Sequence, residues 1–153
     1  RTETDIIREL TEDEASFRSL TRSWFEHSDL LTLLRLLSER GHTVIITSDH
    51  GTIRIDNSVK VTGDRETSAN LRYKTGRNLA YNSREVYEIT RPEDIQLPSI
   101  NLSSSYIFAY NTDFLVYNND ANRYIRYYRN TYQHGGISME EMLVPYIVLK
   151  PKQ

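Results

Sequence analysis

An aspartate and a histidine stand side by side in segment 47–51, which follows directly on the apolar run 44–46. Neighbouring side chains of a regular strand point to opposite faces, so Asp49 and His50 can share a target only where the chain turns. Gly51 permits such a turn. A carboxylate and an imidazole suit zinc, and ligands usually bind at the carboxyl-terminal edge of a parallel sheet. A capped turn with an exposed histidine is the alternative, and the dipeptide alone favours that plainer interpretation.

A second histidine, His134, precedes two glycines and then the string Ser138-Met139-Glu140-Glu141. The glycines let the backbone pass close to a bound ion or phosphate. The serine and the last glutamate have the spacing of a capping box, so a short helix should begin there and offer its N-terminal dipole to an anion. A flexible turn before a capped helix, with His134 incidental, is an equally good interpretation of this string by itself.

Three polar side chains between the two histidines, Asn70, Arg72 and Lys74, are suited to binding phosphate oxygens. They fall within residues 62–77, a polar stretch that predicts a long loop. Because charged residues usually form solvated faces, a solvated loop is the competing interpretation of this cluster. The three residues are therefore candidates for binding a substrate.

The helices that would position these groups are predicted from apolar spacing and from capping residues. Residues 2–11 are expected to end one helix, and residues 12–22 to form another that buries its apolar side. Ser28 should cap a third helix, which ends at Gly41 because glycine suits the left-handed conformation there. Residues 122–130 should form a further helix whose tyrosines pack against a sheet.

The predicted strands are of two kinds. The unbroken β-branched run 44–46 is typical of a strand covered on both faces, and hence of a parallel sheet in an α/β domain. Residues 53–61 alternate between apolar and polar side chains, as exposed antiparallel strands do. Residues 105–110 and 113–117 are expected to form a hairpin, and residues 144–149 a further strand. The sequence therefore predicts a mixed sheet with flanking helices and a small antiparallel portion.

The composition excludes several kinds of site. The 153 residues include 19 basic and 21 acidic side chains, a formal net charge of −2, and no cysteine. This balance speaks against a polyanion-binding surface, so direct DNA binding is not expected. Without cysteine, any zinc would need imidazole and carboxylate ligands. No stretch is apolar over the thickness of a bilayer, and we expect a cytoplasmic protein without a membrane partner.

The strings that could carry chemistry resemble the PglZ domain of the alkaline phosphatase superfamily. They are Ile45–Thr52, Asn70–Lys74 and Gln133–Met142, the last followed by Pro145. The effector domain of PorX-like two-component response regulators is similar in the same strings. The similarity runs over essentially the whole chain, and the histidine-containing strings are specific in combination although each is weak alone.

This resemblance implies the C-terminal part of an alkaline phosphatase-like α/β domain. It also implies a hydrolase of phosphoesters, such as the phosphodiesters of short or cyclic nucleotides. Members of the superfamily use two zinc ions and a serine or threonine nucleophile. A strand-end Asp-His pair binds one metal, which Asp49 and His50 match, and a late histidine binds the other, which His134 matches.

Part of the machinery that the resemblance implies has no match here. The family also uses an early metal-binding aspartate, the nucleophile and an Asp-x-x-x-His pair, and no such pair occurs in the sequence. We expect these groups upstream of Arg1, so that the 153 residues would form the C-terminal part of a longer domain. On this expectation the chain alone is inactive and binds zinc weakly.

A response-regulator context implies a receiver domain in the same protein, a sensor kinase, and regulators of type IX secretion or of transcription as partners. An uncovered sheet edge would also allow a homodimer. Two other classes of function stay open. One is a non-catalytic module that binds a partner on the same scaffold. The other is a nucleic-acid binder that uses tyrosines and Arg72, which the near-neutral charge disfavours.

Overall fold

The structure is a computed structural model that describes residues 13–63, 68–76, 78–98, 105–119 and 121–151. Its helices are α1 (Glu14–Glu26), α2 (Asp29–Glu39), α3 (Ala121–Tyr128) and α4 (Met139–Met142), and a 3₁₀ helix spans Pro92–Ile95. Its strands are β1 (Val44–Thr47), β2 (Ile53–Arg54), β3 (Asn57–Val61), β4 (Tyr73–Gly76), β5 (Val86–Ile89), β6 (Ser105–Ala109), β7 (Asp113–Tyr117), β8 (Tyr132–Gln133) and β9 (Tyr146–Leu149). The mixed content confirms the α/β class. The helix predicted at residues 2–11 lies outside the described residues.

The chain divides into two compact units. A terminal unit combines the residues up to Thr47 with those from Pro145 onward, and a central unit spans Ser48–Val144. All of the residues predicted to bind metal or substrate belong to the central unit. The terminal unit contains α1, α2, β1 and β9.

Both helices in the described part of the terminal unit begin at a side-chain cap. The Asp13 carboxylate accepts a hydrogen bond from the amide of Ser16 at 2.7 Å, and the Ser28 hydroxyl accepts one from the amide of Leu31 at 3.4 Å. Each cap satisfies an amide that the first helical turn leaves without a backbone partner. Gly41 follows α2 with a φ of +76°, so the predicted start and end of this helix are confirmed.

The helix predicted at residues 12–22 is displaced along the chain, because α1 begins after the Asp13 cap and continues to Glu26. The expected burial of its apolar side is wrong, since neither α1 nor α2 contains a buried residue. Three leucines of α2 are well exposed and recur at every third position, which places them in one stripe: Leu30, Leu33 and Leu36. None of the helices in the described ranges has the length and apolar character needed to cross a membrane.

Strand β1 pairs with β9 in an antiparallel two-stranded sheet, with Val44 opposite Leu149 and Thr47 opposite Tyr146. The prediction of a parallel strand covered on both faces is wrong here, because Ile45 is 54% exposed and burial alternates along β1. A run of β-branched residues indicates a strand but not the direction of its partner. That partner comes from the far end of the chain, where no local pattern reveals the pairing.

The central unit contains three small sheets. Strand β2 pairs antiparallel with β8, β3 pairs parallel with β7, and β6 lies between β4 and β5 with both neighbours antiparallel. The prediction of antiparallel strands across residues 53–61 therefore holds for β2 and is wrong for β3. Alternation does predict the buried side of β3, since Val59 and Val61 are buried, but it carries no information on strand direction.

Strands β6 and β7 follow each other across a tight turn but do not form the predicted hairpin. In the turn, the amide of Asp113 donates to the carbonyl of Tyr110 at 2.8 Å. After the turn, the segment that immediately precedes β4 lies between β6 and β7. The carbonyls of Leu71 and Arg72 accept hydrogen bonds from β7 and β6 at 2.7 Å and 2.9 Å, respectively. The turn can be predicted because its residues are adjacent in the sequence, whereas a distant segment that lies between the two strands cannot.

Residues 62–77 are not the polar loop that their composition predicts, over the part that the structure describes. Strand β4 occupies Tyr73–Gly76, and Thr62 forms an isolated antiparallel bridge with Ala80. Arg72 and Lys74 are only 0% and 1% exposed. Burial of a charged side chain is tolerated where it finds partners, and the sequence does not show those partners.

Two apolar clusters form the core of the central unit. One consists of Val59, Val61, Val86, Ile107, Ala109 and Leu115, and the other of Ile53, Ile55, Phe114, Val116 and Ala121. Successive residues of β7 belong to different clusters, with Leu115 in the first and Phe114 and Val116 in the second, so the two clusters lie on opposite faces of this strand. Helix α3 confirms the helix predicted at residues 122–130 but only Tyr128 of its tyrosines packs on the core, because Tyr124 and Tyr127 are exposed.

Candidate metal centre

Backbone hydrogen bonds hold His50 in the turn at the start of the central unit. The Ser48 hydroxyl donates to the carbonyl of His50 at 2.6 Å, and Nδ1 of His50 lies 2.9 Å from the carbonyl oxygen of Gly51. An Nδ1–H that donates to a backbone carbonyl leaves Nε2 with the lone pair, the arrangement common in histidines that bind metals. The amide of Gly51 in turn donates to the backbone carbonyl of Glu141 at 2.8 Å.

His134 reaches this turn from a distant part of the sequence. Its ring and that of His50 are stacked, with centroids 3.8 Å apart and planes inclined by 9°. Two segments that are far apart along the chain therefore bring their imidazoles together, as a shared site requires. The role of these residues as metal ligands stays a prediction.

Asp49 is the remaining predicted ligand, and it is 90% exposed at the side chain. Its Oδ1 lies 3.8 Å from Nε2 of His50. Two atoms that each stand about 2.0–2.2 Å from a zinc ion can be separated by at most roughly 4.4 Å. The carboxylate and the imidazole nitrogen are thus close enough to share one ion.

The donor types suit zinc, but their number falls short of a complete site. Zinc in proteins is usually four-coordinate, and a catalytic site has about three protein ligands and a water. In the described part of the chain, no group of three or more histidine, cysteine, aspartate or glutamate side chains is arranged to hold a metal ion. Asp49, His50 and His134 carry donor types that zinc accepts, and a complete site would need further ligands from outside the described residues.

The family model of the BREX system PglZ alkaline phosphatase-like domain matches residues 2–149. The chain belongs to the PglZ family. The resemblance predicted from the histidine-containing strings is confirmed by this match, as is the alkaline phosphatase-like fold. Family membership indicates a hydrolase of the phosphoesterase type. A search of curated proteins found no match to the chain.

In this PglZ chain the glycines after His134 allow other protein groups to approach the backbone closely. Gly135 has a φ of +99°, and a Cβ at this position would lie 2.7 Å from the side-chain nitrogen of Asn70. A Cβ on Gly136 would lie 2.4 Å from a carboxylate oxygen of Glu141. Both glycines are therefore needed for packing within the PglZ domain itself.

Two of the residues predicted to bind substrate contact the segment around His134 or the helix after it. The side-chain amide of Asn70 donates to the carbonyl of His134 at 3.3 Å. Arg72 donates through Nε and Nη2 to the two carboxylate oxygens of Glu141, each at 3.0 Å, and through Nη1 to the carbonyl of Asp113. Because Arg72 is fully buried, this arrangement gives its predicted phosphate-binding role no support, whereas the role of Asn70 stays a prediction.

Lys74, the third predicted substrate-binding residue, points into the interior of the PglZ domain. Its Nζ lies 4.5 Å from the centroid of the Tyr117 ring, a cation–π contact that offsets part of the cost of burial. Burial disfavours the charged form and lowers the pKa of Lys74 to about 8. At 1% exposure the ammonium group is not accessible to a substrate, so its predicted role also finds no support.

Replacing Lys74 by methionine is expected to stabilise the protein by about 1–3 kcal/mol at pH 7, because each unit of pKa shift corresponds to about 1.4 kcal/mol. The loss of the Tyr117 contact reduces the gain. Since the folded-state pKa is lowered from 10.5 to about 8, the wild-type protein should gain stability between these values. Urea unfolding at pH 7 and above pH 10 measures both effects. Lys60→Met on the exposed side of β3 is the matched control. A Lys74→Met variant that is less stable at both pH values would contradict the expectation.

Glu141 has a structural role in this PglZ domain that the sequence does not reveal. The glutamate half of the predicted capping box is formed, since the Glu141 carboxylate accepts from the amides of Gly136 and Ser138 at 2.9 Å and 3.3 Å. Burial raises the pKa of Glu141, but the hydrogen bonds from Arg72 and Gly136 outweigh this effect and lower it. The capping box is a local signal, whereas Arg72 lies 69 residues away and no sequence pattern connects the two.

Proposed function

We propose that this chain forms part of the active site of a zinc-dependent phosphoester hydrolase. The observation that carries the proposal is the stacking of His50 and His134 at 3.8 Å in a chain of an alkaline phosphatase-like family. Two imidazoles and a neighbouring carboxylate are the donors that zinc accepts in a protein without cysteine.

Asp49 and His50 would hold one ion and His134 a second. A ring nitrogen directs its lone pair within the plane of its ring, so two parallel rings 3.8 Å apart suit two neighbouring ions better than one. Zinc ions about 3.5–4 Å apart supply Lewis-acid stabilisation of the charge that develops on a phosphate. In this proposal the serine or threonine nucleophile and the remaining ligands belong to residues outside the described part of the chain.

A cavity lined in part by residues 137–140, which follow His134 along the chain, supports an organic phosphodiester, such as a nucleotide, as the substrate class. It has a volume of about 460 Å³, within the usual range for small-molecule sites. Its wall includes Tyr87, Tyr110, Ile137 and Met139, all exposed, together with the polar or charged residues Asn111, Thr112, Ser138 and Glu140. Aromatic side chains are platforms on which nucleobases stack.

Replacing Tyr87 by alanine in the intact protein is expected to raise KM for a nucleoside p-nitrophenyl phosphate diester roughly 5- to 100-fold, because stacking of one base contributes about 1–3 kcal/mol. A contact equally strong in the ground and transition states changes KM and leaves kcat unchanged. Methyl p-nitrophenyl phosphate, which lacks a base, should keep its KM. Tyr127→Ala, which removes an exposed tyrosine of α3, is the control. If the substitution raised KM equally for both substrates, the base would not stack on Tyr87.

The wider context is also part of the proposal. The strings that resemble PorX-like proteins support a role as the output domain of a two-component response regulator. A sensor kinase and regulators of secretion or transcription would then be partners of the intact protein.

The central experiment measures metal content and hydrolysis on the intact protein. Two zinc ions per domain, and cleavage of bis(p-nitrophenyl) phosphate that a chelator abolishes and zinc restores, are the expected results. A protein that contains no zinc and cleaves no phosphoester would contradict the proposal.

A non-catalytic partner-binding module is the second candidate function. The exposed leucine stripe of α2 favours it, as do the exposed apolar residues of β9, because large uncovered apolar surfaces often bind other proteins. Metal-free protein that retains a specific partner would support this module. Zinc-dependent turnover would support the hydrolase.

A further inference from the structure

Glu141 contacts both halves of the candidate metal centre. Its backbone carbonyl accepts a hydrogen bond at 2.8 Å from the amide of Gly51, the residue after His50. Its carboxylate accepts a hydrogen bond at 2.9 Å from the amide of Gly136, two residues after His134. One residue of α4 therefore links the two segments that present the imidazoles.

Arg72 fixes the carboxylate of Glu141 in place. The guanidinium group donates two parallel hydrogen bonds of 3.0 Å to it, and the two side chains are 0% and 1% exposed. A third guanidinium nitrogen donates to the carbonyl of Asp113 on β7. Paired charge-assisted hydrogen bonds impose an orientation as well as attraction, so the carboxylate cannot rotate away from the amides that it accepts.

Asn70 provides a second connection, to the backbone of His134 itself. Its Oδ1 accepts hydrogen bonds from the amides of Arg72 and Tyr73 at 2.7 Å and 3.2 Å, which orients the side chain. Its Nδ2 then donates to the carbonyl of His134 at 3.3 Å. The segment just before β4 thus contacts the His134 segment through Asn70. Through Arg72 it contacts α4, the helix that follows His134.

We propose that Asn70, Arg72 and Glu141 act together as a clamp that positions the metal ligands. The clamp holds the imidazole of His134 against that of His50 and so sets the spacing of their nitrogens. Its members are positioning residues, since Asn70 and Glu141 bind the backbone of the histidine segments and Arg72 acts through the Glu141 carboxylate. The consequence for metal affinity rests on the proposed function, whereas the geometry of the clamp does not.

Asn70→Asp separates positioning from folding. The aspartate keeps an oxygen that can accept from the amides of Arg72 and Tyr73, but it loses the donor to the carbonyl of His134. Glu141→Gln keeps an acceptor for one backbone amide and removes the charge that faces Arg72, so it can also affect folding. Glu140→Gln makes the same change at the adjacent exposed position and is the matched control.

The first measurement is nuclear magnetic resonance of the intact protein after its metal has been removed. In the wild type, ring protons of the two histidines should show a cross-relaxation signal, because the rings are stacked at 3.8 Å. Asn70→Asp should lose most of this signal while its thermal midpoint stays close to that of the wild type. Glu141→Gln should speed exchange of the Gly136 amide proton roughly tenfold. Glu140→Gln should change neither, and an unchanged ring signal in Asn70→Asp would overturn the clamp.

The second measurement is zinc titration of the intact protein. Groups that orient metal ligands typically change affinity about 10- to 100-fold, so Asn70→Asp should weaken binding by at least about tenfold. A wild-type protein that shows the ring signal but binds no zinc would overturn the proposed function and leave the clamp standing. Wild-type zinc affinity in an Asn70→Asp variant that has lost the ring signal would overturn the link between the clamp and metal binding.

Discussion

The variant His134→Ala of the intact protein is expected to lose zinc and phosphoester hydrolysis together. An ion held by few protein ligands dissociates readily when one of them is removed, since an alanine methyl group offers no donor. Metal ions contribute several kcal/mol to the stabilisation of a phosphoryl transition state, and each 1.4 kcal/mol is a factor of ten in rate. The value of kcat/KM should therefore fall on the order of a thousandfold or more.

Zinc per polypeptide and kcat/KM on a phosphodiester are measured for the same preparation of His134→Ala. His42→Ala is the matched control, because His42 is exposed and belongs to the terminal unit. It should retain both zinc and activity. Zinc content at the wild-type level in His134→Ala would remove this histidine from the metal centre, even if activity were lost.

The features that the sequence predicts well are encoded within a few residues. The cap at Ser28 and the Glu141 carboxylate at the start of α4 depend on side-chain oxygens that accept from nearby backbone amides. Gly41 ends α2 because glycine adopts a positive φ without strain. The two histidine strings are also local. Their combination predicts the PglZ family, which the family match confirms.

The direction of the strand pairs could not be predicted, because it depends on residues far away in the sequence. The apolar run of β1 pairs antiparallel with β9, and the alternating β3 pairs parallel with β7. In both strands the pattern predicts extended structure and, for β3, the buried face. Neither pattern contains the identity of the neighbouring strand, which decides whether the hydrogen bonds are parallel or antiparallel.

The candidate site likewise combines local features that the sequence predicts with contacts between distant residues that it does not predict. Adjacent residues predict the Asp49–His50 pair, but the stacking of His134 on His50 is a tertiary contact that periodicity cannot supply. The sequence places Arg72 and Lys74 in a polar loop, as candidates for binding phosphate or as solvated charges, because charged residues are usually exposed. Their partners, Glu141 and Tyr117, are distant in sequence and make burial tolerable.

Separating Arg72 from Glu141 is expected to destabilise the protein severely. The variant Arg72→Met leaves a buried carboxylate without its counter-charge, a loss of about 3–5 kcal/mol. Domains are typically stable by roughly 5–15 kcal/mol, so this loss is a large share of the total. The double variant with Arg72→Met and Glu141→Gln should regain most of it, because both buried charges are then absent. Urea unfolding followed by circular dichroism gives the free energies of all the variants.

The same pair predicts a dependence on pH. Burial raises the pKa of Glu141, but the hydrogen bonds from Arg72 and Gly136 lower it below its ordinary value of 4.5. A group with a lowered folded-state pKa contributes stability above its ordinary pKa, and this contribution is lost as the pH falls through the folded-state value. The wild-type protein should therefore lose stability relative to the double variant below about pH 4.5. If the unfolding free energies of the two proteins changed in parallel with pH, the lowered pKa of Glu141 would be contradicted.

An exposed ion pair of the same chemistry is the control for burial. Arg22 and Glu26 lie 2.8 Å apart on α1 with side chains 80% and 49% exposed, and Arg22→Met should leave the urea midpoint unchanged because water screens such pairs. If Arg72→Met lost no more stability than Arg22→Met, water would have to reach the buried pair. The Glu141 carboxylate could then turn toward solvent, and the amides after His134 would lose their fixed acceptor. On the clamp proposal, exclusion of water from this one ion pair supports both the stability of the protein and the spacing of the two imidazoles.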